Sequence, residues 1–185
     1  MLLKSNLHQY QLNILEKAKE TPHLGLFMEP GLGKTATALT IIKESSSGKT
    51  LVIAPKRVAE SVWAQECQKW QHLSDFRVAL VMGTPEQRLN ALSSNSDLFV
   101  INVENVAWLV EHWPAGLFDY LVIDESSRFK DPSTKRFKAI KKVLKTFRRR
   151  LILTGTPTPQ GLGDLWAQVG ILDLGERLET SLTKF

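Results

Sequence analysis

Residues 24–35 read LGLFMEPGLGKT. The first five are apolar and short, as in a buried strand. A glycine-rich turn follows and closes on Gly33-Lys34-Thr35. Successive backbone N–H groups in such a turn, together with the N-terminus of the next helix, form a cradle for an anion. Gly31 and Gly33 permit close backbone approach. Lys34 is placed for the β- and γ-phosphates of a nucleotide, and Thr35 offers a hydroxyl to Mg²⁺. The usual pattern is G-x-x-x-x-G-K-[ST], and its first glycine position holds Met28 here. The competing reading is a plain glycine turn followed by an incidental Lys-Thr. The helical pattern of KTATALTIIKE (34–44), directly after the strand and turn, favours the phosphate loop. Pro30, Gly31, Leu32, Gly33, Lys34, Thr35 and Ala36 are therefore the candidate nucleotide contacts.

Working outward, apolar runs alternate with helical patterns. TLVIAP (50–55), FRVALVMG (76–83), DLFVINVE (97–104), FDYLVIDE (118–125) and RRLILTGT (149–156) read as further strands. Residues 57–70, 85–94 and the basic stretch from 135 to 150 read as helices between them. In the first of these, Val62, Trp63, Cys67 and Trp70 face inward. Apolar strands separated by helices predict an α/β fold with a mostly parallel sheet covered on both faces. In such sheets ligands bind at the carboxyl ends of the strands. The final stretch LDLGERLETSLTKF starts no clear further element, and the whole chain, 1–185, reads as one domain.

Two more strand ends carry chemistry. FDYLVIDE closes on Asp124-Glu125. The first acid suits Mg²⁺ coordination, partly through water, and the second suits a base or a water-orienting group. Acids also end strands as helix caps, so the pair gains meaning only beside the phosphate loop. RRLILTGT ends in Thr154-Gly155-Thr156, two hydroxyl donors around a glycine turn.

Composition bounds the rest. The chain has 185 residues, 43% hydrophobic and 23% charged, with a net charge of +5. That is ordinary for a soluble domain, with a mild lean toward polyanions. No apolar run approaches the roughly 20 residues that span a bilayer. MLLKSNLHQYQ turns polar after three residues, so no secretory signal is expected. A single cysteine, Cys67, excludes an internal disulfide and fits a reducing, cytoplasmic setting. His8, His23, His72 and His112 lack ligand spacing, so no zinc site is expected.

The order of these motifs resembles the first motor lobe of superfamily-two helicases, and most closely the Swi/Snf-type ATPases. The resemblance runs from about Leu7 to about Leu174. LHQYQLNILEKA looks like the family's Q motif, which implies that Gln11 reads adenine. MEPGLGKTATAL looks like motif I, where the first Walker glycine is often replaced; Met28 is thus a family-like variant, and Pro30 departs mildly from the usual Met. LVIAPKRVAESVWAQECQKW looks like motif Ia. VIDESSRFKD stands where D-E-[GA]-H-R-[IL]-K-N is usual, and LILTGTPTPQGLGDLWAQVGIL matches L-T-G-T-P-x-x-N-x-x-x-E-L-W. The style is similar to bacteriophage-encoded members, which implies the cytoplasm of a bacterial host. The resemblance implies a RecA-like three-layer lobe that binds ATP and Mg²⁺, with Lys34, Asp124 and Glu125 catalytic. It also implies coupling roles for Thr154, Gly155, Thr156 and Ser127, the last of these in place of the family's histidine. Arg128 and Lys130 would brace the lobe.

The implied partner is DNA, double-stranded, held by its backbone with little sequence specificity. Lys56, Arg57 and Asn102 stand at the family's contact positions, although Asn102 and Val103 replace two threonines. Lys56 and Arg57 can also be read as ordinary surface charge. Residues 135–150 carry nine Lys/Arg and no acid; they are either a solvated face or a field that steers DNA. The family's second RecA-like lobe, with its arginine finger, has no counterpart after Leu174. Such a finger supplies roughly 10³–10⁵ in other phosphoryl-transfer systems. The chain alone is expected to turn over very weakly, with the second lobe supplied in cis or in trans, and to be a fragment. The rival readings are a stand-alone nucleotide- and DNA-binding or protein-interaction module without turnover, and a different phosphate-loop enzyme such as a kinase. The latter leaves LTGTPTPQGLGDLW unexplained.

Overall fold

The computed structural model describes residues 1–46 and 48–178. Among these, the strands β1 (His23–Phe27), β2 (Lys49–Ala54), β3 (Val78–Leu80), β4 (Leu98–Asn102), β5 (Phe118–Asp124) and β6 (Arg149–Thr154) form one sheet. Its order is β1-β6-β5-β2-β4-β3, and every pairing is parallel. All six carboxyl ends therefore lie along one edge. The phosphate-loop strand β1 neighbours β6 and then β5, so the three motifs converge although they are far apart in sequence.

Seven α-helices cover the sheet among the described residues: α1 (Gln9–Glu20), α2 (Lys34–Ser45), α3 (Trp63–Lys69), α4 (Pro85–Leu92), α5 (Val106–Glu111), α6 (Lys135–Val143) and α7 (Gly163–Asp173). Alternate strand residues feed two separate cores. Leu51, Ile53, Phe99, Ile101, Leu121 and Ile123 pack under α4 to α7. Val52, Ala54, Leu98, Val100, Tyr120 and Val122 pack under α1 to α3. Period-two side chains with both faces buried are what a parallel sheet between two helical layers requires.

The structure corrects several boundaries. The helix expected over 57–70 contains a π-turn, Val58–Val62, before α3 begins. The strand expected over 76–83 is only Val78–Leu80, at the sheet edge. The basic stretch is not one helix to 150. It stops at Val143, passes through a 3₁₀ turn at Leu144–Thr146 and enters β6 at Arg149. Phe137, Ile140, Leu144 and Phe147, three or four residues apart in the chain, are all buried. Arg150, however, is a strand residue, and its buried guanidinium donates to Leu144 O and His23. The charge run is thus broken between helix, turn and sheet. The helices α1, α5 and α7 go beyond the periodicity reading. Six residues of α5 are too few to display a period, and α7 is apolar around most of its circumference.

Candidate nucleotide-binding site

The phosphate loop leaves β1 at Phe27. Met28 N–H donates to Thr154 O at 3.1 Å, which ties the loop's first residue to β6. The chain then turns through Gly31 at φ 85° and Gly33 at φ 68°, both left-handed. Gly33 caps α2, so the helix's first N–H groups point into the turn. A Cβ on Gly33 would also stand 2.8 Å from Gln11 Nε2. Lys34 Nζ lies across the mouth, donating to Met28 O at 2.8 Å and Glu29 O at 3.0 Å. Thr35 is half-buried at the start of α2, Ala36 is buried behind it, and Pro30 and Leu32 are exposed at the tip. Tyr10 donates its hydroxyl to Leu32 O at 3.2 Å and steadies that tip.

At the end of β5, Asp124 keeps a partly open face, yet its surroundings desolvate the carboxylate. That burial, reinforced by the adjacent Glu125, raises Asp124 above the ordinary carboxylate range. A hydrogen bond from Trp63 Nε1 at 3.0 Å and the Lys34 charge oppose the rise. Glu125 sits at φ 59°, ψ 61°, a left-handed conformation that costs a non-glycine residue about 1–3 kcal/mol. Its Oε1 accepts from Ser127 Oγ and from Thr154 Oγ1, each at 2.6 Å. Thr154 Oγ1 in turn accepts the Thr156 N–H at 3.0 Å. The Ser127 hydroxyl thus bonds to the carboxylate two residues before it. Gly155 lets the β6 turn lie against the phosphate loop: a Cβ there would meet Pro30 Cδ at 3.0 Å and Met28 O at 3.3 Å.

No group of three or more His, Cys, Asp or Glu among the described residues could hold a metal by itself. The donor set at this edge suits Mg²⁺, which commonly takes one or two carboxylates plus phosphate oxygens and water. Asp124 and the Thr35 hydroxyl are the groups that would hold it.

The remaining predicted residues fall in two places. Gln11 is 3% exposed. Its amide accepts from His8 N–H and donates to Thr37 Oγ1 and Gly33 O, so it braces the phosphate loop from behind. Lys56 and Arg57 are exposed at the end of β2, Lys56 loosely paired with Glu60 at 3.9 Å. Asn102 ends β4 in register with Ala54, which brings the two candidate DNA loops side by side. Its side chain is buried, donating to Glu104 and accepting from Asn105. Contact with another molecule through that amide would require breaking both bonds. Arg128 lies 3.9 Å from Glu104 with both side chains exposed, and Lys130 lies 3.7 Å from Asp164 on α7. Sequence reasoning missed the Trp63 contact. It placed Trp63 in the core, which is right, but a buried indole N–H needs an acceptor, and that need was the available signal. It also missed the buried Ser126, which donates to Gln168 on α7; Gln168 in turn donates to Pro157 O.

Fold and site define a RecA-like, phosphate-loop nucleotide-binding domain. The SNF2-related domain model matches residues 9–179, and the chain belongs to that family, as its N-terminal ATPase core lobe. It is 36% identical to putative protein p41 of Acyrthosiphon pisum secondary endosymbiont phage 1, over 95% of this chain and 41% of that protein. It is 28% identical to the ISWI chromatin-remodeling complex ATPase ISW1 of Saccharomyces cerevisiae, over 78% of this chain and 13% of that one. The Sulfolobus solfataricus SWI2/SNF2 ATPase core in complex with dsDNA superposes with a TM-score of 0.79 at 29% identity, covering 98% of this chain and 38% of that chain. The chain thus spans less than half the length of these relatives. No helix among the described residues is long and apolar enough to cross a membrane.

Proposed function

We propose that this lobe binds Mg-ATP and, completed by a second RecA-like lobe in cis or in trans, hydrolyses it to ADP and phosphate as a DNA-dependent translocase. The observation that carries this reading is the convergence of three strand ends. The cradle after β1, Asp124-Glu125 after β5 and Thr154 on β6 are joined by direct hydrogen bonds. Lys34 would exchange its two carbonyl acceptors for the phosphates. Asp124 and Thr35 would hold Mg²⁺, which supplies charge neutralisation at the phosphate oxygens. Glu125, with Oε1 held by two hydroxyls, would use its other oxygen to orient the attacking water. Lys56 and Arg57, on the neighbouring strand end, would meet the backbone of double-stranded DNA.

Calorimetry with Mg-ATP and a steady-state ATPase assay, each with and without double-stranded DNA, test the reading. The wild-type chain is expected to bind with little turnover. Lys34→Ala should lose binding. In a form completed by a second lobe, Glu125→Gln should keep binding and lose hydrolysis. Undiminished binding by Lys34→Ala, or wild-type turnover by Glu125→Gln, would remove it.

A further inference from the structure

The helical segment that follows Pro55 starts with the exposed Lys56 and Arg57 and continues through the π-turn Val58–Val62 into α3. The first residue of α3 is Trp63, fully buried, and its indole N–H reaches Asp124 Oδ2 at 3.0 Å. Two features make this contact specific. A buried indole could satisfy its N–H on any backbone carbonyl, but here the acceptor is the carboxylate that ends β5. The π-turn also sets the aim. One residue inserted into a helix rotates everything after it by roughly 100° relative to regular α geometry. The turn ends at Val62, so residue 63 is the first to take the new direction.

We propose that Trp63 is a positioning residue for Mg²⁺ coordination: its indole N–H fixes the rotamer of Asp124 and so presents the other carboxylate oxygen to the metal. This deepens the function proposed above and rests on it. A carboxylate free to rotate loses part of its metal affinity, as outer-shell partners of metal ligands generally show. The same helical segment carries Lys56 and Arg57, so a load on that segment bears on the metal ligand's support through one continuous piece of helix.

The test uses the chain as it stands, with ATP as the probe, titrated first in EDTA and then over a range of Mg²⁺ concentrations. Trp63→Phe keeps an aromatic ring and removes the N–H. ATP affinity in EDTA should stay within about twofold of wild type, because the phosphate loop is untouched. The Mg²⁺ concentration that gives half-maximal tightening should rise roughly tenfold, within the range seen for outer-shell changes. Cys67→Ala perturbs the same helix and core without touching Asp124 and should leave that midpoint in place. An unmoved midpoint in Trp63→Phe, or an equal shift in Cys67→Ala, overturns the proposal. A measurement on the intact core covers the case in which Trp63→Phe does not fold. One of the five tryptophan indole N–H resonances should move in Asp124→Asn, and the same resonance should move in wild type when Mg²⁺ is added to the ATP-bound chain. If no resonance responds to both, the proposal fails. Wild-type protein that binds no Mg-ATP would sink the parent reading instead, and the response to Asp124→Asn would still report the contact.

Discussion

Gly155→Ala isolates the contact between the β6 turn and the phosphate loop. The glycine needs no left-handed backbone, so the added methyl acts through space alone. It would stand 3.0 Å from Pro30 Cδ, 3.3 Å from Met28 O and 3.5 Å from Pro30 Cγ. Carbon atoms in contact prefer about 3.5–4.0 Å, so the loop must retreat by roughly half an ångström. Overpacking in a closed core costs about 1–3 kcal/mol; here Pro30 is exposed and can yield, which sets the low end. Replacing glycine returns about 0.4–1 kcal/mol through the unfolded chain. The two nearly cancel, so the melting temperature should change by no more than about 2–4 °C. Affinity should not cancel. The loop's first carbonyl, Met28 O, is an acceptor of Lys34 Nζ, and moving it moves the cradle. A charge-assisted hydrogen bond is worth about 1.5–3 kcal/mol; weakening one by about half costs roughly 1.4 kcal/mol, or tenfold in Mg-ATP affinity. Calorimetry on Gly155→Ala, Pro30→Ala and the double variant reads it. Pro30→Ala removes the two proline atoms, so the double variant should recover most of the loss. Unchanged affinity in Gly155→Ala, or strict additivity in the double variant, would refute the argument.

Two further outcomes follow from burial. Because Asp124 titrates above its ordinary value, the folded state binds a proton that the unfolded chain has already released, and stability falls as pH rises through the folded pKa. That penalty is absent below the unfolded value, grows as pH rises above it and is complete above the folded pKa. Asp124→Asn should therefore melt above wild type at pH 7 without nucleotide, and the gap should close as pH falls toward 4 in thermal melts. A constant gap across that range would remove desolvation as its cause. Burial pushes the Cys67 thiol up to about 12, so at pH 8 its labelling by a thiol reagent should proceed only as fast as the protein opens; fast labelling of the folded chain would contradict the structure.

How far the sequence could be read depended on the physics behind each signal. The six strands were visible because a parallel sheet buried on both faces needs continuous apolar runs. The helix α2 was visible through its helical apolar spacing after the glycine turn, and α4 through the proline that opens it. The basic run from 135 to 150 misled because charge says little about where a helix stops: Leu144 and Phe147 keep helical spacing, yet both are buried through a tight turn. In the site, Lys34, Asp124, Glu125 and Thr154 were legible because each stands in a fixed short motif at a strand end. Trp63 and Gln168 were not, because their partners lie 61 and 42 residues away in the chain. The inward side of Gln11 was hidden for the same reason: the motif indicates that a glutamine is needed but not which way its amide turns.

The costs at this edge of the sheet are concentrated where chemistry would need them. Glu125 holds a left-handed backbone that glycine would adopt more easily, Asp124 holds a desolvated carboxylate, and Gly155 forgoes a side chain so that two loops can touch. Each lowers stability when considered alone. Each also has a local counterweight: two hydroxyls on Glu125, an indole on Asp124 and the Met28–Thr154 bond beside Gly155. A strand end that merely capped a sheet would need none of the three. Their coexistence within hydrogen-bonding reach is accounted for when the edge must hold an anionic ligand, a cation and a water in fixed relation. Glu125 is the sharpest case, because its strained backbone aims the carboxylate at Thr154 on the next strand. The β5 and β6 turns are therefore joined by hydrogen bonds, and anything that moves the β6 turn reaches the Glu125 carboxylate directly.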